Sequence, residues 1–184
     1  MAQKSTIYKA NLSVANMNLN HYQDYSLTLA QHPSETLSRM MFRLAVFAIL
    51  SQEEPQFCKG ISSEEEPDLW CLDLTGQITH WIELGHPEEK RLRQACGKAR
   101  KVSIFPYQAQ ASSQWFQGAE KSMERFAHLE VTQLSVLEKR SLEDLVQKSM
   151  DLSCTLQDDE LWFSAPQDRI GLSLTPLKSA TPGR

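Results

Sequence analysis

Residues 68–107 constrain the fold more than any other stretch, because they read in succession as strand, tight turn, strand, helix and strand. In Asp68-Leu-Trp-Cys-Leu-Asp-Leu-Thr-Gly-Gln-Ile-Thr-His-Trp-Ile-Glu83, two apolar-rich runs flank Thr75-Gly76, a hairpin-turn signal. A two-residue loop there, or a four-residue turn centred on it, sets Trp70 opposite Trp81 and Asp68 opposite Glu83. The aromatic pair supports that register, since such cross-strand pairs are favourable and a one-residue slip would turn every side chain to the other face. Thr is a poor first residue for a type I′ turn, and a three-residue loop would change the pairing.

The register has a chemical consequence. Two carboxylates with Cβ atoms about 5 Å apart repel by roughly 3 kcal/mol at an effective dielectric of 20. A shared proton, a basic side chain or a divalent cation would offset this, and hard oxygen donors at strand ends suit Mg²⁺ or Mn²⁺. The bland account of Asp68 and Glu83 is a pair splayed into solvent at a fraying strand end.

Beyond Glu83, Gly85 ends the strand, and Pro87 with Glu88 and Glu89 marks a helix start. Leu92, Ala95, Cys96 and Ala99 follow at helical spacing, then Val102-Ser-Ile-Phe-Pro-Tyr107 reads as a short strand. The unit is a β-α-β crossover with parallel strands, and Glu83 stands at the carboxyl end of its strand, where such sheets bind ligands. The helix is the most basic stretch of the chain, with Lys90, Arg91, Arg93 and Lys98, and Arg100 and Lys101 just beyond. It is either a solvated face or a phosphate-facing patch beside the acidic pair, with Phe105 and Tyr107 as core residues or base-stacking platforms.

The rest of the chain supplies a scaffold. Alternation at residues 6–16 and from Tyr25 to Leu29 predicts an N-terminal antiparallel hairpin. Pro33 is expected to open a helix burying Leu37, Met40, Met41, Leu44 and Ala48, with Glu35, Arg39 and Arg43 on its other face as an ion-pair ladder or, for Glu35, a neighbour of the acidic site. Residues 52–66 lack periodicity and read as a mobile acidic loop. A helix over residues 110–125 packs on the sheet, and Leu129 and Val131 mark a strand. Ser135 with Glu138 suggests a capping box for a helix burying Leu142, Leu145 and Val146. A C-terminal β-meander and a flexible tail at residues 177–184 follow. The expected class is mixed α/β, or α+β: one domain over residues 1–184, a central mixed sheet with a β-α-β core flanked by helices.

With 184 residues, 41% of them hydrophobic, the chain can bury a sizeable core. Its net charge of −4 gives no global attraction to nucleic acid. The four cysteines lack metal-type spacing and read as reduced thiols of a cytoplasmic protein. The first residues hold no apolar signal region and the longest apolar run, residues 44–50, is too short to span a bilayer, so no membrane insertion is expected. Walker loops, Rossmann glycines and nucleophile elbows are absent.

The segments Ser5-Thr-Ile-Tyr-Lys-Ala, His32-Pro-Ser-Glu-Thr, Glu66-Pro67 to Trp70 and Trp81-Ile-Glu-Leu-Gly85 resemble the bacterial YaeQ family over nearly the whole chain. That resemblance implies a variant of the restriction-endonuclease-like fold carrying the PD-(D/E)xK motif. The matching residues are Pro67-Asp68 and Glu83-Leu84-Gly85, with Glu35 from the first helix, and they imply a metal held by Asp68 and Glu83. The departure is Gly85, where the motif calls for a lysine to stabilise the transition state. Lys90, Arg91 or Lys98 would have to replace it. Two functions follow as expectations: a Mg²⁺- or Mn²⁺-dependent phosphodiesterase acting on nucleic acid, or an inactive nuclease-like adaptor binding nucleic acid or protein through its basic helix.

Overall fold

The computed structural model describes residues 4–181. Along them run β1 (Thr6–Asn16), β2 (His21–Gln31), α1 (Leu37–Ile49), β3 (Gln56–Phe57), β4 (Leu69–Leu72), β5 (Ile78–Leu84), α2 (Glu89–Lys98), β6 (Lys101–Phe105), α3 (Ala109–Glu124), β7 (Leu129–Val136), β8 (Ser149–Gln157), β9 (Glu160–Ala165) and β10 (Asp168–Lys178). The protein is mixed α+β, and its chain divides into two compact units. One comprises Met1–Glu54 with Val136–Ser173, the other Pro55–Ser135 with Leu174–Arg184.

In the first unit the strands lie in the order β2-β1-β8-β9-β10. The β1–β2 hairpin pairs without interruption from Thr6↔Gln31 to Asn16↔His21, as its alternation predicts. Strand β8 runs parallel to β1 and begins the expected meander, with β8–β9 and β9–β10 antiparallel. The inward residues of β1 and β8, among them Leu12, Val14, Leu152 and Cys154, are buried, while their neighbours are solvated.

Helix α1 starts later than Pro33 suggests, at Leu37, because Thr36 is the N-cap and its side chain accepts from Arg39 N–H at 3.1 Å. Glu35 therefore precedes the helix. It is 5% exposed, as is Arg43, so the expected solvated ladder is instead a buried ion pair. Arg43 donates from Nε to Glu35 Oε1 at 2.8 Å and from Nη2 to Oε2 at 2.7 Å, and Arg39 adds a bond to Oε1 at 3.1 Å. Periodicity alone does not distinguish a charged face in solvent from one covered by a neighbouring hairpin.

The second unit orders its strands β7-β6-β5-β4-β3. Strands β5, β6 and β7 are parallel and β3–β4–β5 antiparallel, so the expected β-α-β crossover is present as β5-α2-β6. Trp81, Leu92, Ala95, Val102, Ile104, Met123, Leu129 and Val131 form its core, with Trp115 and Phe116 of α3 packed against it. Phe105 belongs to the buried set and is not available to stack on bases. The three parallel strands are also joined by polar groups: Ser103 Oγ donates to Glu130 Oε1 at 2.5 Å and lies 2.7 Å from His80 Nε2. That arrangement satisfies buried polar atoms which would otherwise be costly.

Three local expectations shift. Residues 51–53 and 60–62 form 3-10 turns either side of β3, inside the stretch read as a loop. Strand β7 runs through Val136, so Ser135 lies within a strand and starts no helix. The capping box is Ser141 with Asp144, and it starts a 3-10 turn, Leu142–Leu145, instead of an α-helix. Strand β10 continues to Lys178, whose ammonium donates to Phe126 O at 3.0 Å and Leu129 O at 2.7 Å. The first residues of the expected tail thus lie in a strand, and residues 182–184 lie outside the described residues.

Replacing Arg43 with Ala should leave Glu35 buried against Arg39 alone. A loss of about 3 kcal/mol is expected, read as a lower urea midpoint at unchanged m-value.

Candidate functional site

The β4–β5 hairpin reaches the expected register by an unexpected route. Its loop has three residues: Gly76 N–H donates to Asp73 O at 2.9 Å and Asp73 N–H to Gln77 O at 2.9 Å, with Gly76 at φ +82°. This is a type I turn with a glycine bulge, not a two-residue I′ turn. Asp73 Oδ1 holds it by accepting from Thr75 N–H, Thr75 Oγ1 and Gln77 N–H. Such a loop offsets the strands by one residue, but a bulge between Cys71 and Leu72 restores the pairing, giving Cys71↔His80, Trp70↔Trp81 and Leu69↔Ile82.

Asp68 and Glu83 follow at the end of this ladder. Asp68 is 1% exposed, and its Oδ2 accepts from Leu84 N–H at 2.8 Å. Gly60 presses on its other oxygen: a Cβ on Gly60 would lie 2.5 Å from Asp68 Oδ1, and Gly60 has φ +48°. Only glycine fits that position.

Glu83 has a fuller set of partners. Trp81 Nε1–H donates to its Oε2 at 2.7 Å, and Arg91 Nε donates to Oε1 at 3.0 Å and Oε2 at 3.1 Å. Arg91 lies in the first turn of α2, its Cζ 5.0 Å from the Trp81 ring centroid. The remaining guanidinium nitrogens donate to Glu64 O and, at 2.7 Å, to Glu66 O. One side chain therefore ties strand β5, helix α2 and residues 64–66 together. Gln94 Nε2 also donates to Glu64 O, at 2.8 Å.

Burial and, next, the negative charge of Asp68 push Glu83 above the usual carboxylate range, against the opposing pull of Arg91 and the Trp81 indole. A single arginine does not fully offset a carboxylate pair in this setting.

Of the three candidates to replace the motif lysine, Arg91 is the one that touches Glu83. Lys98 reaches Glu65 Oε2 at 2.7 Å instead, and Lys90 is exposed on the wall of a neighbouring cleft. Glu35 lies in the other compact unit, engaged by Arg43 and Arg39. The cleft, about 630 Å³, is lined by Glu83, Leu84, His86, Glu88, Lys90 and Arg91 among others, while Asp68 does not reach its surface. His86 is a further residue of the cleft wall. It sits 2.9 Å from the buried Ser112 hydroxyl, 5.6 Å from the Trp115 ring centroid, and burial lowers its pKa.

The basic stretch is largely neutralised. Arg91 pairs with Glu83, Arg93 with Glu89, Lys98 with Glu65, Arg100 with Asp73 and Lys101 with Glu130. Lys90 makes no ion pair among the described residues. Gly85, where a lysine would complete the motif, has φ +86°, a left-handed conformation unfavourable to a lysine. The donor set as arranged does not fit a divalent ion bridging both acids. Asp68 is closed off from the cleft, and both Glu83 oxygens accept from Arg91.

A family model described as YaeQ protein matches residues 1–174. The chain belongs to the YaeQ family. YaeQ of Salmonella typhi, described as uncharacterized, is 39% identical over 175 residues, 95% of this chain and 97% of that protein. YaeQ of Escherichia coli K12 is 38% identical with the same coverage. The crystal structure of YaeQ from Xanthomonas axonopodis pv. citri has a TM-score of 0.88 at 35% identity, covering 95% of this chain and 99% of its own. That of YaeQ from Pseudomonas syringae also has 0.88, at 25% identity, covering 97% and 98%. No helix among the described residues is long and apolar enough to cross a membrane.

Two outcomes follow. Because the folded state holds the Glu83 proton more tightly than the unfolded chain, this group's contribution to stability falls as pH rises from 4.5 through its raised value. The urea midpoint of wild type should therefore decline relative to Glu83→Gln across that interval, and the opposite slope would show that Arg91 holds Glu83 below its ordinary value. Gly60→Ala should cost about 2 kcal/mol or more through positive φ and the clash at Asp68, measured by thermal unfolding.

Proposed function

We propose that the chain is a nuclease-like scaffold adapted to binding, in which Arg91 serves as the counter-ion of the Asp68 and Glu83 pair in place of a catalytic metal. The supporting observation is the double engagement of Glu83 by Arg91, whose other nitrogens are committed to the carbonyls of Glu64 and Glu66. A metal at Glu83 would have to displace a guanidinium held at four acceptors, and the displaced charge would lose partners in a half-buried site. Asp68 acts on the backbone, fixing Leu84 N–H and the end of β5.

The cleft beside this anchor takes a protein segment. A nucleic-acid backbone is bound by cations that neutralise phosphates, and here five of the six basic side chains between Lys90 and Lys101 already face acids. Glu64, Glu83 and Glu88 also line the cleft, so a phosphate chain would meet three acids and, among the described residues, one unpaired base, Lys90. A polypeptide offering both a basic group and an apolar side chain suits these walls, with Leu84, Pro87 and Ile61 as the apolar contacts.

A second reading is favoured by the order α1-β3-β4-β5-α2-β6 along the chain, with acidic residues at the motif positions of β4 and β5. The resemblance drawn from the sequence would read those positions as the acids of a restriction-endonuclease-like phosphodiesterase. In that reading Asp68 and Glu83 hold Mg²⁺ or Mn²⁺, which would supply a polarised phosphate and a more acidic bound water. Lys90, Arg91 or Lys98 would stand in for the lysine absent at Gly85.

Titration of Mn²⁺ separates the two by calorimetry. Wild type should show no site-specific heat, and Arg91→Ala, which uncovers Glu83, should gain a weak site that Arg91→Ala/Glu83→Gln loses. Stoichiometric binding to wild type that disappears in Glu83→Gln would instead establish the phosphodiesterase reading.

A further inference from the structure

Strand β2 stands at the end of the strand order and, among the described strands, pairs with β1 alone, so its outer edge is open as far as Thr28, while the carbonyl of Ala30 already accepts from Arg43 Nη2 at 2.9 Å. Proteins usually blunt such an edge with proline, lysine, a bulge or a covering element. His-Tyr-Gln-Asp-Tyr-Ser-Leu-Thr-Leu-Ala-Gln has no proline, glycine or lysine, carries the single charge of Asp24, and pairs with β1 without a bulge. Its outward residues Tyr22, Asp24, Ser26, Thr28 and Ala30 are all exposed.

We propose that this edge pairs with the same edge of a second copy, antiparallel about a two-fold axis at Ser26. In that register Tyr22 faces Ala30 of the second copy and Asp24 faces its Thr28. Within each copy Ala30 is paired with Ile7, and Thr28 with Lys9. The axis therefore brings Tyr22, 59% exposed, towards Ile7, 50% exposed, and Asp24 towards Lys9, at both ends of the interface. These exposed apolar side chains lie at opposite ends of one strand pair, where they cannot cover each other within a copy. A two-fold interface covers each of them with the other.

Neighbouring registers lose this match. Moving the axis to Leu27 puts Asp24 over Ala30 and Ile7, and moving it to Tyr25 leaves Ala30 and Ile7 beyond the end of the partner strand. The axis at Ser26 alone satisfies both the charge and the apolar contacts, and no like charges meet across it. Antiparallel pairing would add main-chain hydrogen bonds at Asp24, Ser26 and Thr28, between the two Ala30 carbonyls that Arg43 holds.

Light scattering on the full chain over a dilution series tests this. Wild type should give twice the 21.0 kDa chain mass at the concentrated end. Asp24→Lys, which sets lysine against Lys9, should raise the dissociation constant about tenfold or more, and Lys9→Asp/Asp24→Lys should recover the dimer. Ser26→Cys should form a covalent dimer on mild oxidation that wild type, with Cys58, Cys71, Cys96 and Cys154, does not form. The proposal is overturned if wild type is monomeric throughout, if Asp24→Lys leaves the dimer unchanged, or if Ser26→Cys oxidises no faster than wild type.

Discussion

The contact between Arg91 and Glu83 organises the second unit around one guanidinium. Arg91 joins the end of β5 to α2 and draws the carbonyls of Glu64 and Glu66 against them, over the Trp81 ring. Glu83 is placed for this by β-sheet register and by the Trp81 indole, and Arg91 by its position in the first turn of a helix that starts just after the strand. A carboxylate pair that would otherwise repel gains its principal counter-charge from within the chain. The result is a rigid corner with a cleft on one side.

Register was the most legible property of the sequence, and it succeeded through two compensating irregularities. Spacing identified Trp70 opposite Trp81, and the pair is present. The turn type was misjudged because Asp73, two residues before Thr75, captures the backbone with its carboxylate and stabilises a three-residue loop. The bulge near Leu72 then removes the offset. Aromatic pairing and strand burial dictated the register, and the loop adapted to it.

Other features were hidden because they depend on distant partners. Helical spacing shows that Glu35, Arg39 and Arg43 can approach one another, but not that Glu35 and Arg43 are buried. The same limit applies to the basic stretch, where consecutive cations suggest a phosphate surface until the acids facing them, from Glu65 to Glu130, are known. Gly60 looked like one more loop residue, yet its missing Cβ is what lets Asp68 lie against the backbone. The departure at Gly85 was visible directly, and its left-handed backbone is one that a lysine rarely adopts.

Arg91, bonded to both Glu83 oxygens, is the counter-ion we propose in place of a metal. A crystal soaked in Mn²⁺, with anomalous scattering recorded at the manganese edge, tests it directly. No anomalous peak is expected within coordination distance of Glu83, with Arg91 still bonded to both of its carboxylate oxygens. A peak shared by Asp68 and Glu83, with Arg91 swung away, would contradict it.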